Sequence, residues 1–307
     1  MTLGKDVKLG VALPQIFPDG IDTDLVRDFA GIAEDAGFHS LWTQEQVLGS
    51  ANVLEPLSLL SYTAAETSSI YLGVSILVLP LRNPITLAKQ AATLDQLSRG
   101  RFILGIGIGN LSPLYAATGT PEDARVRRFQ ESMAVMKALW TKPATTFEGR
   151  FFKLKDATME PKPVQKPHPP IWFGGRHPDA LMRAVRHGNG WMGAGSSTLE
   201  DFKLSVAEIQ ALLQAAGIDP TSFGISKRVY LAVDDDRSRA EQRLRSWFGY
   251  YYRNADMANR VCIWGSQSYI RERLEEIAEA GADHLLLNPV YDHLEHLEKF
   301  ARLRDAH

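Results

Sequence analysis

Apolar residues along the chain fall into two alternating kinds of segment. Short apolar runs without strict polar alternation recur, and such runs are typical of parallel strands buried on both faces. Between them lie segments with helical spacing, as in residues 22–36, where Leu25, Phe29 and Ile32 share one side and Gly37 follows. This alternation predicts an α/β chain in which strands and helices take turns.

The apolar runs predict eight strands, most of them followed by a helix. They lie at residues 8–14, 40–43, 71–81, 102–108, 170–173, 190–192, 225–233 and 283–287. Eight parallel β/α units in a chain of 307 residues favour a closed (β/α)8 TIM barrel. An open, doubly wound sheet is the alternative, and periodicity alone does not decide between the two.

Two stretches interrupt the alternation, after the fourth and the seventh predicted strands. Residues 111–169 contain a predicted helix, a hairpin around residues 147–152 and a proline-rich connector. Residues 236–267 carry an aromatic run, 247–252, that suits a pocket wall, an oligomer interface or the core. Insertions after barrel strands lie near the active face. No interdomain linker stands out, so residues 1–307 are predicted to form one domain.

Composition and charge exclude several classes of function. Lys and Arg total 34 and Asp and Glu total 36, so the net charge of −2 gives no basic surplus for nucleic-acid binding. The apolar runs are shorter than the ~20 residues that span a bilayer, so no membrane association is expected. The single cysteine, Cys262, excludes an internal disulfide and a cysteine-based zinc site. With no recognisable secretory signal, we expect a cytoplasmic location and no metal.

The strongest local signal is a predicted strand that runs into Gly174, Gly175 and Arg176, with a helix beginning near Pro178. Glycines allow the backbone to approach a ligand closely, a helix N-terminus offers free N–H groups, and arginine adds a forked donor. The pattern predicts a phosphate cradle. An ordinary strand-to-helix turn is the equally weighted alternative.

Two other strand ends carry candidate chemistry. Residues 105–109 have the pattern of a dinucleotide-binding turn, but Asn110 replaces the third glycine, so close backbone approach at a barrel mouth fits better. The second strand closes with Trp42, Glu45 and Gln46, whose side chains would reach a barrel mouth. Glu45 is a candidate general acid or base, although the sequence alone favours a role in orienting a neighbour.

Four stretches, taken together, carry a resemblance to one family. The most specific is residues 72–109, supported by GFHSLW at 37–42, PIWFGG at 170–175 and AGADHLLL at 280–287. In these stretches the chain resembles the luciferase-like superfamily of flavin- and deazaflavin-dependent oxidoreductases. The resemblance implies a (β/α)8 barrel, usually dimeric, with its cofactor at the C-terminal mouth. Members transfer hydride with reduced coenzyme F420, or use reduced FMN, often with O2 as monooxygenases.

The resemblance also implies where the cofactor binds. Many members have a non-prolyl cis peptide in the third strand, against which the ring leans, and the matching pair here is Ser75–Ile76. The implied cofactor-binding residues are Ser75, Ile76, Gly107, Gly174, Gly175 and Arg176. A bulky Ile76 resembles the deazaflavin enzymes, and Ile108 stands where the luciferases place a phosphate-binding arginine. Both features favour F420, with FMN as the alternative.

The chain departs from the family pattern at two points. Many relatives end strand two with an acid–histidine pair, but this chain has Glu45–Gln46, and glutamine cannot exchange a proton near neutral pH. The sugar-phosphate dehydrogenases have a glutamate where this chain has Asn110, which argues against that activity. The departures motivate a third hypothesis, a non-catalytic flavin-binding protein.

The sequence therefore predicts an oxidoreductase that transfers hydride between F420 and a small organic substrate. Trp42, Glu45, Gln46 and Asn110 are expected to line the catalytic pocket. The alternative is an FMN-dependent monooxygenase that uses reduced flavin and O2. The expected partners are the small organic substrate and a second copy of the chain in a homodimer.

Overall fold

The core of the protein is a closed ring of parallel strands, seen in a computed structural model that describes residues 3–109 and 112–305. The eight barrel strands are β1 (Lys8–Ala12), β2 (Ser40–Thr43), β3 (Tyr71–Val74), β4 (Phe102–Gly107), β5 (Ile171–Gly174), β6 (Gly190–Gly193), β7 (Gly224–Val233) and β8 (His284–Asn288). Each strand pairs with the next in chain order, and the ring closes where β8 pairs with β1. After a break at Ser75–Ile76, the third strand resumes at Leu77–Val78 beside β4.

Helices and two smaller β elements surround the barrel. The α-helices are Thr23–Asp35, Pro56–Glu66, Pro84–Leu97, Ser112–Ala117, Arg125–Thr141, Pro178–His187, Leu199–Ala216, Arg237–Tyr251, Met257–Val261, Gln267–Glu279 and His293–Asp305, with 3-10 turns at Leu79–Leu81, Glu122–Ala124 and Pro220–Ser222. Strands Thr145–Glu148 and Lys153–Ala157 form an antiparallel hairpin. An outer strand, Cys262–Gly265, pairs in parallel with the end of β7.

Local chemistry sets the ends of helix Pro84–Leu97, which follows the third strand. The side chain of Asn83 accepts a hydrogen bond from the backbone N–H of Ile85 at 2.9 Å, and proline occupies the first helical turn. The chain then leaves the helix through Arg99 and Gly100, whose φ angles are 56° and 82°. A left-handed residue followed by glycine cannot continue a helix, so the chain turns into β4.

Polar side chains form a hydrogen-bonded chain inside the barrel, near the amino-terminal ends of the strands. Ser226 Oγ and Ser40 Oγ flank the His284 ring at 2.7 and 2.9 Å, and Trp42 Nε1 donates to Ser40 Oγ at 2.8 Å. Burial lowers the pKa of His284 well below its ordinary value, with smaller contributions from the charges of His39 and Lys8. The imidazole is therefore neutral, and its two nitrogens can each take one hydrogen-bond role.

The structure confirms the predicted (β/α)8 barrel with insertions after β4 and β7. The predicted hairpin lies where residues 145–157 form an antiparallel pair. The outer strand Cys262–Gly265 was missed, because its residues sit inside a segment with no clear alternation. Within the described residues, no helix has the length and apolar character needed to cross a membrane. In the same residues, no three His, Cys, Asp or Glu side chains cluster as metal ligands would.

Candidate functional site

A cavity with a volume of about 580 Å3 opens at the carboxyl ends of β3, β4 and β5. This is the edge of a barrel where active sites lie. Its wall combines apolar residues, Ile76, Ile108, Val126, Phe129, Phe173, Ala180 and Ala194, with ionisable ones, Arg125, Arg176, His177, Asp179 and Arg183. Such a combination suits a ligand with a flat apolar part and an anionic group.

Ile76 forms part of the cavity wall, and its position depends on glycines in the neighbouring strands. The Ser75–Ile76 peptide is cis, as the resemblance implied. A Cβ atom added to Gly107 would lie 2.5 Å from Ile76 Cδ1, and one added to Gly174 would lie 3.1 Å from Ile76 Cγ1. A larger residue at either position would push the isoleucine side chain out of its place, so the predicted residues Ser75, Ile76, Gly107 and Gly174 come together here.

The cavity wall also includes Gly175 and Arg176, the predicted phosphate cradle. The helix N–H groups that were expected to be free are occupied, because those of Asp179 and Ala180 donate to His177 at 3.2 and 2.7 Å. Arg176 itself is 68% exposed and lies 3.7 Å from Asp201. An anion here would therefore rely on arginine side chains more than on the helix terminus.

Two arginines in this cavity wall were not predicted. Arg125 begins the helix of the first insertion, and Arg183 lies on helix Pro178–His187, more than one turn beyond Arg176. Burial lowers the pKa of Arg183, partly offset by the charge of Asp179. The sequence could have indicated Arg183, because this residue lies on the helix that follows the predicted phosphate cradle. Nothing local could have located Arg125, which reaches the cavity only through the fold of the insertion.

Glu45 lies close to the cis peptide but is engaged in other contacts. Its side chain is 3% exposed, and its carboxylate accepts from the backbone N–H of Val78 at 2.5 Å and from Arg82 Nε at 2.7 Å. Arg82 also contacts Glu55 at 2.9 Å. Burial alone would lower the pKa of Arg82, but the charges of Glu45 and Glu55 raise it. The sequence had favoured an orienting role for Glu45, and these contacts are those of an orienting group.

The other residues predicted at the end of β2 have different surroundings. Trp42 is 1% exposed and packs inside the barrel, where its indole lies against Gly73 and Trp172. Gln46 is half-buried, and its Oε1 atom is buried without a hydrogen-bond partner among the described residues. Asn110 lies outside the described residues. Neither Trp42, Glu45 nor Gln46 lines the large cavity.

The opposite side of the mouth is filled by aromatic rings and one buried arginine. Tyr230 on β7 packs against Trp247 and Phe248 of helix Arg237–Tyr251, with ring centroids 5.5 and 5.1 Å apart. The aromatic run thus forms a packed cluster, one of the roles that the sequence allowed. Arg228, two residues before Tyr230, donates from a terminal guanidinium nitrogen to the Ser75 carbonyl at 3.3 Å. The sequence gave no local signal for Arg228.

Comparison with known proteins agrees with this architecture. The profile of the luciferase-like monooxygenase family matches residues 10–284. The chain is 31% identical over 255 residues to an F420-dependent glucose-6-phosphate dehydrogenase of Kineococcus radiotolerans, covering 80% of this chain and 74% of that protein. It is also 31% identical over 225 residues to an FMNH(2)-dependent dimethylsulfone monooxygenase of Pseudomonas putida, covering 71% of this chain.

The match to the monooxygenase spans 61% of that protein's length, less than two thirds. Among solved structures, an F420-dependent secondary alcohol dehydrogenase in complex with an F420-acetone adduct superposes with a TM-score of 0.84. The superposition covers 97% of this chain and 98% of that one at 22% identity. At that identity the likeness shows a shared fold.

Proposed function

This chain belongs to the luciferase-like monooxygenase family, and we propose that it transfers hydride between coenzyme F420 and a small organic substrate. The cofactor would occupy the large cavity at the ends of β3, β4 and β5. Relatives at similar identity include both F420-dependent dehydrogenases and an FMNH(2)-dependent monooxygenase, so the choice of F420 rests on the residues of the cavity itself.

The observation that carries the proposal is Ile76 seated over Gly107 and Gly174. A Cβ atom at Gly107 would come within 2.5 Å of Ile76, so the glycines hold a bulky aliphatic side chain in the cavity wall. A bulky residue at this position resembles the deazaflavin enzymes, whereas small residues are more usual in the luciferases. Ile108, also in the wall, replaces the phosphate-binding arginine of the luciferases.

The residues of the cavity fit such a cofactor. Ile76, Phe129 and Phe173 offer apolar contacts for a flat ring, and Phe129 and Phe173 pack with centroids 5.9 Å apart. Arg125, Arg176 and Arg183 offer cationic contacts for a phosphate. When bound, F420 supplies a ring that gives or takes a hydride. The protein's part is to hold the ring and the substrate in place and to exclude water.

Glu45 is assigned to positioning rather than to proton transfer. Its carboxylate holds the Val78 N–H, and the Thr43 carbonyl accepts from Ser75 N at 2.8 Å, so strand β2 fixes the chain on both sides of the cis peptide. Arg82 neutralises the charge of Glu45 at 2.5 Å. Because its oxygens already accept hydrogen bonds from Val78 and Arg82, this carboxylate is poorly placed to exchange a proton with a substrate. Proton exchange is therefore left to solvent or to a group of the substrate.

An FMN-dependent monooxygenase remains the second candidate, favoured by the 31% identity to the dimethylsulfone enzyme. The arginines of the cavity would serve the phosphate of FMN equally well. A cytoplasmic location, a homodimer and a single domain stay predictions from the sequence.

Equilibrium binding of the purified chain to oxidised F420 and to FMN, followed by fluorescence, tests the proposal. We expect F420 to bind at least about tenfold more tightly, a difference of about 1.4 kcal/mol. Ile76→Ala should reduce that preference, whereas Ile85→Ala, the same change at an exposed helix position, should leave it intact. Tighter FMN binding together with O2 uptake driven by reduced FMN would establish the monooxygenase instead. Binding without turnover on any donor or acceptor would establish a non-catalytic protein.

A further inference from the structure

Arg228 is a buried cation at the inner end of the barrel mouth. The residue is 6% exposed, and it lines a small cavity together with Gln44 and Asn288. One terminal nitrogen donates to the Ser75 carbonyl at 3.3 Å. The Nε atom is buried and has no hydrogen-bond partner among the described residues. Its guanidinium is therefore only partly satisfied by the protein.

No acidic side chain of the described residues lies within ion-pair distance of Arg228. Tyr230 and Tyr252 do not replace a carboxylate, because burial raises the pKa of both above the ordinary tyrosine value. The other titratable neighbours, Lys227 and His293, carry no negative charge in either protonation state. The aromatic face of Tyr230, 5.8 Å from the guanidinium carbon, gives a cation–π contact. A buried charge that lacks an anion is unfavourable unless a ligand supplies one.

The surroundings of Arg228 define the size and the position of that anion. The small cavity has a volume of about 20 Å3, room for one water-sized atom, which matches a carboxylate oxygen better than a bulkier tetrahedral group. Its remaining wall is mostly apolar, with Ile16, Trp247 and Val290 among its residues, and Gln15 and His293 are the other polar members. The Ser75 carbonyl that Arg228 contacts belongs to the cis peptide, whose other residue, Ile76, lines the large cavity.

We propose that Arg228 binds the carboxylate of an organic-acid substrate, with the apolar body of that substrate directed toward Ile76. This inference rests on the proposed function and narrows its substrate class to carboxylates with an apolar body. The unpartnered Nε–H of the guanidinium can donate a charge-assisted hydrogen bond to one carboxylate oxygen. The side-chain amides of Gln44 and Asn288 line the same cavity and can donate to the same group.

Titration calorimetry of the purified full chain tests the proposed carboxylate site, with benzoate as the probe and its neutral analogue benzamide as the comparison. Benzoate should bind saturably, and benzamide at least about tenfold more weakly, because only the anion satisfies the guanidinium. Arg228→Gln should weaken benzoate binding by at least about tenfold, and Arg228→Lys should restore part of it. Arg237→Gln, the same change at an exposed arginine of the next helix, should bind benzoate as the wild type does.

A thermal-unfolding scan separates binding from folding. Benzoate should raise the melting temperature of the wild type and of Arg237→Gln, and leave that of Arg228→Gln unchanged. Equal affinity for benzoate and benzamide, or unchanged benzoate binding in a folded Arg228→Gln, would overturn the inference. No cofactor is present in this titration, so its failure alongside tight F420 binding would reject only the carboxylate site. Benzoate binding at Arg228 without F420 binding would reject only the cofactor assignment.

Discussion

The two sides of the barrel mouth are built in opposite ways. On the β3–β5 side small residues leave space: a Cβ atom added at Gly105 or Gly107 would clash with a neighbour, and one at Gly174 would make a tight contact. On the β7 side large rings fill the space, and Phe248 packs against Tyr230 and Tyr252 at 5.1 and 5.2 Å between ring centroids. One side is therefore sensitive to added atoms and the other to removed atoms. The large cavity lies on the β3–β5 side.

The largest expected effect comes from removing a ring on the β7 side. Phe248 is fully buried, so Phe248→Ala should lower the free energy of unfolding by about 3–5 kcal/mol, as measured by urea denaturation. Leu204→Ala, at a residue that is 65% exposed, is the control and should change it by less than about 0.5 kcal/mol. A loss below about 1 kcal/mol for Phe248→Ala would show that the aromatic cluster can collapse, and the contrast between the sides would weaken.

Adding one methyl group on the β3–β5 side should have the next largest effect. A Cβ atom at Gly105 would lie 1.9 Å from the Val74 carbonyl oxygen, a backbone atom that cannot rotate away. Gly105→Ala should therefore cost about 1–3 kcal/mol of stability, measured by the same denaturation. Gly31→Ala is the matched control, because a Cβ atom added to this helical glycine would have no atom within 4 Å outside its own stretch of helix. We expect that substitution to raise the free energy of unfolding by about 0.5–1 kcal/mol. Equal effects of the two substitutions would contradict the close packing at β4.

The same contrast explains how much the sequence could predict. Gly174 and Gly175 were predictable from a short motif at a strand end, and Ile76 and Gly107 from the resemblance to the family; the barrel brings all four to one edge. Arg228 was not, because its partner Ser75 lies 153 positions away and no local pattern marks either residue as a contact. Long-range pairs on a barrel depend on strand register, which apolar periodicity does not specify.

Glu45 and Trp42 show the intermediate case. The strand that contains Trp42 and ends two residues before Glu45 was predicted correctly, but the direction of each side chain was not. Glu45 forms an ion pair with Arg82, a partner that the sequence did not indicate, and this ion pair holds its carboxylate at the barrel mouth. Trp42 points into the barrel because Gly73 on β3 leaves room for its ring. The direction of each side chain therefore depends on a residue of another element, Arg82 for Glu45 and Gly73 for Trp42.

Lys227 connects the two sides, and its charge state gives the smallest expected effect when stability is compared across one pH unit. Its ammonium group donates to the carbonyls of Ala194, Ser197 and Arg228 at 2.6, 3.1 and 3.1 Å. Ala194 lines the large cavity and Arg228 the small one. Burial lowers the pKa of Lys227 to about 7, with Asp201 opposing that shift and Arg228 adding to it. The folded chain therefore loses this proton at a lower pH than the unfolded chain does.

Between about pH 7 and the ordinary lysine pKa of about 10.4, the unfolded state binds the extra proton, so stability should rise with pH. We expect a slope of up to about 1.4 kcal/mol per pH unit in the free energy of unfolding of the wild type. Lys227→Met should lose that contribution, and the difference between the two slopes isolates Lys227 from other titrating groups. Identical slopes would mean that Lys227 stays protonated when folded, because its three carbonyl partners outweigh burial. The two sides of the mouth would then be joined by a charged contact rather than a neutral one.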